Sequence, residues 1–105
     1  DPELTVWLAI SYGSRAEIVN AVNRAVVRGE AVTEMQFSDM LYTSGMPDPD
    51  LIIRTSGEKR ISNFLLWQSA YSELFFTDTL WPDFGESEFQ AIVEAYGTRQ
   101  RRKGT

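Results

Sequence analysis

Asp50-Leu51-Ile52-Ile53-Arg54 is a short apolar run that ends in a charge, the pattern of a buried strand with a polar group at its carboxyl end. Two other runs read as strands. Glu73-Leu74-Phe75-Phe76-Thr77 has the aromatic content of one, and Leu4-Thr5-Val6-Trp7-Leu8-Ala9-Ile10 is apolar on both parities, as in a strand covered on both faces. Elsewhere the period is helical. Ile18, Val19, Val22, Ala25 and Val26 recur on one face of a helix from about Arg15 to Arg28, with Gly29 placed to stop it. Ser14 and Glu17 have the spacing of a capping box. Thr33 and Gln36 have it too, with Val32 and Phe37 as a hydrophobic staple, and open a short helix to about Tyr42. Ser62 or Asn63 is placed to cap a short helix over Phe64 to Ala70, and Phe89, Ile92, Val93 and Tyr96 mark a final amphipathic helix. The order is strand, helix, helix, strand, short helix, strand, helix. It predicts an α/β fold, a parallel sheet flanked by helices, in which the strands near Leu4, Asp50 and Glu73 are neighbours and the helix from Arg15 packs on a face. Three strands make an incomplete sheet, so a partial domain is expected.

The 105 residues, 43% hydrophobic and 24% charged, suit one small domain or a piece of one and exclude wholesale disorder. Fifteen acids oppose ten bases, and four of the bases (Arg99, Arg101, Arg102, Lys103) sit in the last seven residues. The rest is strongly acidic, which speaks against nucleic acid as a partner. With no Cys and no His, disulfides, thiolate catalysis, Cys/His zinc sites and Ser-His-Asp triads are all excluded. Chemistry must rest on carboxylates, arginines, hydroxyls and backbone. No apolar run is long enough to cross a bilayer as a helix, and Asp1-Pro2-Glu3 lacks the basic flank of a signal peptide, so a soluble intracellular protein is expected. The chain starts without Met directly before an expected strand, as a fragment or an internally cut chain would.

In open α/β sheets, loops at the carboxyl ends of strands line the ligand crevice. Ser11-Tyr12-Gly13-Ser14-Arg15 is one such loop, either a plain strand-to-helix turn or an anion site. The other runs from Arg54 through Arg60 to Ser62. Two guanidiniums, a hydroxyl and helix N–H groups suit a diphosphate, whose charge is spread over several oxygens that forked donors grip together. The alternative is that both arginines pair with Glu58, Asp50 or other acids. Glu73 is either an edge charge or a metal ligand. Trp7, Trp67 and Trp81 are expected in the core.

The stretch DLIIRTSGEKRISNFLLWQ (50–68), continuing through Ala70-Tyr71-Ser72-Glu73-Leu74-Phe75-Phe76 to Leu80-Trp81-Pro82-Asp83-Phe84, closely resembles the C-terminal signature of cis-prenyltransferases of the undecaprenyl diphosphate synthase type. SYGSRAEI (11–18) is similar to the family's Asn-Tyr-Gly-Gly-Arg block, and Arg102-Lys103-Gly104 to its terminal Arg-x-Gly. The resemblance covers essentially the whole chain but only the C-terminal half of the family's catalytic domain, so residues 1–105 are expected to be that part of a single domain.

The resemblance implies an enzyme that condenses isopentenyl diphosphate with an allylic diphosphate such as farnesyl diphosphate, using Mg²⁺. The product would be a polyprenyl diphosphate lipid carrier, a precursor for the cell wall. It implies that Arg54, Arg60, Ser62 and the backbone of Ile61 hold the isopentenyl diphosphate and that Glu73 helps bind the metal. Arg102 and Gly104 would reach the diphosphate site of the other subunit of a homodimer. The location implied is cytoplasmic, with the inner face of the membrane as a variant reached through the lipid product. No catalytic residue falls in this stretch. The family's glycine-rich phosphate loop with its catalytic Asp, the Asn that assists proton removal and most of the product tunnel belong to the other half, so the stretch alone should be inactive, and its exposed sheet edge and apolar face should leave it poorly stable or associated through that surface. Lys59 stands where many bacterial members carry a His that assists the metal, and a protonated lysine cannot be a ligand; Ser11 and Ser14 replace Asn and Gly. An accessory, non-catalytic subunit of a heteromeric prenyltransferase is the alternative, disfavoured because such a subunit needs no full diphosphate constellation.

Overall fold

The computed structural model describes residues 4–103, the last three of them by their backbone. The chain divides into two compact units, Asp1–Met46 with Asn63–Trp67, and Pro47–Ser62 with Gln68–Thr105.

The first unit is helical. Helix α1 spans Ser14–Arg28 and ends at Gly29, whose φ of 77° carries the backbone into the left-handed region while its N–H reaches the carbonyls of Ala25 and Val26, 3.1 Å from each. Helix α2, Glu34–Asp39, starts at the expected capping box: Thr33 Oγ1 accepts the Gln36 N–H and Gln36 Oε1 accepts the Thr33 N–H. Thr33→Ala removes one half of that box and is expected to lower stability by about 1 kcal/mol, read as a shift of the urea midpoint at constant slope. Ala21, Met40 and Leu41 form the buried cluster, with Ala25, Val32, Phe37 and Trp67 packed against it. Phe37 and Trp67 meet at 4.8 Å between ring centroids, and Trp67 Nε1 donates to Ser38 Oγ.

In the second unit, strands β1 (Leu51–Arg54) and β2 (Glu73–Phe76) pair in parallel, Leu51 opposite Glu73 and Arg54 opposite Phe76. The connection from Thr55 to Ser72 is long enough for the crossover that parallel pairing demands. A short 3₁₀ turn, Trp81–Asp83, leads to helix α3, Glu86–Lys103. Its first turn is tied back to the segment after β2, because the Thr77 and Thr79 hydroxyls both donate to Glu88 Oε2. A parallel sheet with helices bears out the α/β expectation.

Four expectations need correction. Residues 4–10 carry no regular structure, and Leu4, Val6, Leu8 and Ile10 are each at least 70% exposed; a strand exists only through a ladder partner, and among the described residues none pairs there. The side of α1 that is fully buried carries Ser14, Glu17 and Ala21, whereas Val19, Val22 and Val26 are exposed. Residues 64–70 form turns instead of a helix, since Asn63 and Leu65 adopt φ of 65° and 49°, incompatible with right-handed helix. Of the three tryptophans, Trp67 packs on the core but Trp7 and Trp81 are mostly exposed, Trp81 stacking on Phe84.

Candidate functional site

Arg54 closes β1, and the backbone turns directly after it. Ser56 and Gly57 both have positive φ, 68° and 76°, and their N–H groups bond to the carbonyls of Thr79 and Thr77. A side chain at position 57 would sit 3.3 Å from Asp78 Oδ1 with the backbone in a left-handed state, so glycine suits the turn doubly. The reversal brings the chain back on itself. Arg54 Nη1 donates to the Arg60 carbonyl at 2.7 Å, and Arg60 Nε donates to Ser62 Oγ at 3.2 Å. Arg54, Arg60 and Ser62 are thus linked in one hydrogen-bonded cluster, with Ile61 between the last two.

Each guanidinium carries more donors than these contacts use. Arg60 Nη2 also meets Glu58 Oε2 at 3.0 Å, which is the acid pairing considered above. The Arg60 side chain is 71% exposed, and an ion pair so open to water contributes at most about 1 kcal/mol. It can yield to a more highly charged anion. Ser62 has a φ of 52°, a left-handed state that costs a non-glycine residue on the order of 1 kcal/mol.

Glu73 stands apart from this cluster. It opens β2 opposite Leu51, three ladder positions from Arg54 and so ~10 Å along the strands. Side chains alternate between faces, so Glu73 and Phe75 project on one face and Arg54 with Phe76 on the other. The Glu73 side chain is only 11% exposed, and Arg99 Nη1 of α3 lies 3.5 Å from its Oε2. The Arg99 guanidinium carbon sits 3.9 Å from the Phe75 ring centroid. Arg99 is a neighbour of Glu73 that spacing did not reveal. It is 26 residues from Glu73 and reads in the sequence as one more base of the terminal run; only the shared face of Glu73 and Phe75 hinted at a cation above them. Among the described residues no three His, Cys, Asp or Glu side chains gather. Gly104 and the side chain of Arg102 lie outside the described residues, and Lys59 is exposed on the loop.

The Ser11–Arg15 loop is a helix start with an unexpected cap. Gly13, at the N-cap, has no side chain to offer, and the expected Ser14–Glu17 box does not form. Asn63 supplies the cap from a distance: its carbonyl accepts the Ser14 N–H and its Oδ1 accepts the Arg15 N–H, both at 2.8 Å. Ser14 Oγ in turn accepts the Leu66 N–H. The first N–H groups of α1 are therefore committed to protein, the plain alternative for this loop.

A family model described as "Putative undecaprenyl diphosphate synthase" matches residues 1–104. The chain is 60% identical over 103 residues to an isoprenyl transferase of Fusobacterium nucleatum, covering 97% of this chain and 44% of that protein. A "tritrans,polycis-undecaprenyl-diphosphate synthase (geranylgeranyl-diphosphate specific)" of Thermoplasma volcanium is 50% identical over 104 residues, with 92% and 40% covered. Among solved structures, lavandulyl diphosphate synthase from Lavandula x intermedia, in complex with dimethylallyl diphosphate, superposes with a TM-score of 0.76 at 38% identity, over 83% of this chain and 41% of that one. A probable undecaprenyl diphosphate synthase from Campylobacter jejuni gives 0.74 at 37%, over 91% and 45%. The chain spans less than half the length of each, and the match falls on the C-terminal half of the curated relatives.

Proposed function

The chain belongs to the undecaprenyl diphosphate synthase family, and from that premise we propose that it supplies the isopentenyl diphosphate site of a cis-prenyltransferase. The observation that carries this reading is the Arg54–Arg60–Ser62 cluster, held by hydrogen bonds of 2.7 and 3.2 Å. An isopentenyl diphosphate would take the guanidinium donors, the Ser62 hydroxyl and the Ile61 backbone, with Arg60 exchanging the Glu58 carboxylate for phosphate oxygens. These groups fix the diphosphate so that its homoallylic double bond reaches an allylic carbon that is losing its own diphosphate. Positioning is their contribution. The allylic substrate and the proton-removing groups would be served by segments that the longer relatives carry beyond the matched region. A full diphosphate constellation favours this reading over a non-catalytic accessory subunit. Among the described residues, no helix is long and apolar enough to cross a membrane.

Mg²⁺ would neutralise the developing charge on the departing diphosphate. Glu73 fits as one hard oxygen donor, because Mg²⁺ is commonly held by one or two carboxylates together with substrate phosphates. Its Oε1 is buried and its Oε2 faces Arg99, so the carboxylate sits in a largely dry setting. Since Glu73 and Arg54 lie on opposite faces of the sheet, the remaining ligands, and the diphosphate itself, would come from groups beyond this chain's own anion cluster. A homodimer, with Arg102 and Gly104 reaching into the site of the second subunit, accommodates that requirement.

The direct test joins the chain to the N-terminal part of the Fusobacterium nucleatum isoprenyl transferase and measures labelled isopentenyl diphosphate entering a butanol-extractable product with farnesyl diphosphate as primer. The expected result is incorporation abolished by EDTA, with the 105-residue chain alone at background. Activity of the chain alone, or activity that survives the chelator, refutes the reading.

A further inference from the structure

Arg99 makes three contacts on three consecutive residues of β2. Its Nη1 lies 3.5 Å from Glu73 Oε2 and donates to the Leu74 carbonyl at 3.3 Å, and its guanidinium carbon stands 3.9 Å from the Phe75 ring centroid. Two of these anchors are independent of the carboxylate. The stacking contact and the carbonyl bond would keep the guanidinium over Phe75 even with Glu73 engaged elsewhere. The ion pair is the loosest of the three, since charge-assisted N–H···O bonds close to about 2.8 Å when unconstrained. The two partners also differ in setting: the Glu73 side chain is 11% exposed and that of Arg99 is 46% exposed. A carboxylate so nearly buried needs positive charge beside it. Arg99 provides some, fixed in place by the strand that carries the carboxylate.

A second cation arriving at Glu73 must share the carboxylate with that guanidinium and is repelled by it. A free divalent ion brings only positive charge. A divalent ion already chelated by a diphosphate brings a net negative charge, and the same guanidinium then attracts it. The geometry points to Arg99 as a positioning residue that weakens the affinity of Glu73 for free divalent cations and favours their entry as the diphosphate complex. This rests on the reading of Glu73 as a metal residue.

The test measures Mn²⁺ binding to the intact protein by electron paramagnetic resonance, with and without inorganic diphosphate. Arg99→Gln is expected to bind free Mn²⁺ about fivefold more tightly, the scale of one partly exposed ion pair, and Mn²⁺ with diphosphate more weakly, while Arg99→Lys stays within about twofold of the unaltered protein on both. Unchanged or weaker binding of free Mn²⁺ by Arg99→Gln overturns the proposal. Glu73→Gln separates the two readings. If it leaves Mn²⁺ binding intact, the metal role of Glu73 fails and the role of Arg99 with it; if it abolishes binding while Arg99→Gln changes nothing, only the role of Arg99 fails. The unaltered protein provides a check free of folding artefacts. Saturating Mg²⁺ with diphosphate should move the guanidinium resonances of Arg99, whose Nη1 lies beside the carboxylate and whose Cζ stands over the Phe75 ring, and stationary resonances under Glu73-dependent metal binding overturn the proposal.

Discussion

Arg60→Ala, in the chain joined to its relative's N-terminal part, is expected to raise the KM for isopentenyl diphosphate about ten- to hundredfold and to leave that for the allylic substrate within about twofold. A hydrogen bond to a charged group contributes about 1.5–3 kcal/mol, and each 1.4 kcal/mol is about a factor of ten in affinity. Little is recovered by the change, because the Glu58 pair that Arg60 gives up is exposed and weak. Arg54→Ala has the same sign for two reasons: it removes a guanidinium, and it breaks the 2.7 Å bond to the Arg60 carbonyl that folds the loop onto the strand end. Arg54→Lys separates these, since an ammonium can still reach one carbonyl but cannot fork across two phosphate oxygens. It is expected to fall between the native enzyme and Arg54→Ala. Steady-state kinetics with each substrate varied in turn decides the matter, and equal losses on both substrates would remove isopentenyl diphosphate from this cluster.

How far such a site can be read in advance depends on the range of the interactions. β1, β2 and their parallel pairing were legible because short apolar runs separated by a connection long enough for a crossover leave few arrangements. The Thr33–Gln36 box was legible because both of its bonds close within four residues. The Ser14–Glu17 box has the same spacing and failed, because competing partners were closer in space than in sequence: Leu66 takes the hydroxyl, and Tyr12 and Tyr42 take the carboxylate. The cap from Asn63 and the contact of Arg99 with Glu73 are equally non-local, 48 and 26 residues apart, and neither leaves a periodic trace. The run from Leu4 to Ile10 errs for a different reason. Its apolar pattern was read as a strand covered on both faces, but a pattern does not supply the neighbour that turns a segment into a strand, and residues 4–10 are exposed without one among the described residues.

Glu17→Ala should be the most destabilising single change in the helical unit, by about 3–5 kcal/mol. Glu17 is fully buried in the first turn of α1, where the helix dipole favours its charge. Oε1 accepts the Tyr12 hydroxyl and Oε2 accepts the Tyr42 N–H at 2.9 Å, so one carboxylate satisfies groups from the loop before the helix and from the segment after α2. Alanine leaves the part-buried Tyr42 N–H without that acceptor and adds the loss of the Tyr12 bond and a cavity in place of a fully buried side chain. Glu17→Gln is predicted to cost far less, about 1 kcal/mol. The amide oxygen can accept the Tyr42 N–H, and the Tyr12 hydroxyl can rotate to accept from the amide nitrogen, since a phenol both donates and accepts. That reversal makes Tyr12 indispensable to the glutamine variant. Tyr12→Phe combined with Glu17→Gln should therefore cost at least about 1 kcal/mol more than the two single changes added together, because the buried amide N–H loses its acceptor. Urea unfolding followed by tryptophan fluorescence, compared at constant slope, measures all four variants. Equal losses for alanine and glutamine, or strict additivity with Tyr12→Phe, would mean that burial volume and not this hydrogen-bond exchange sets the stability of the site.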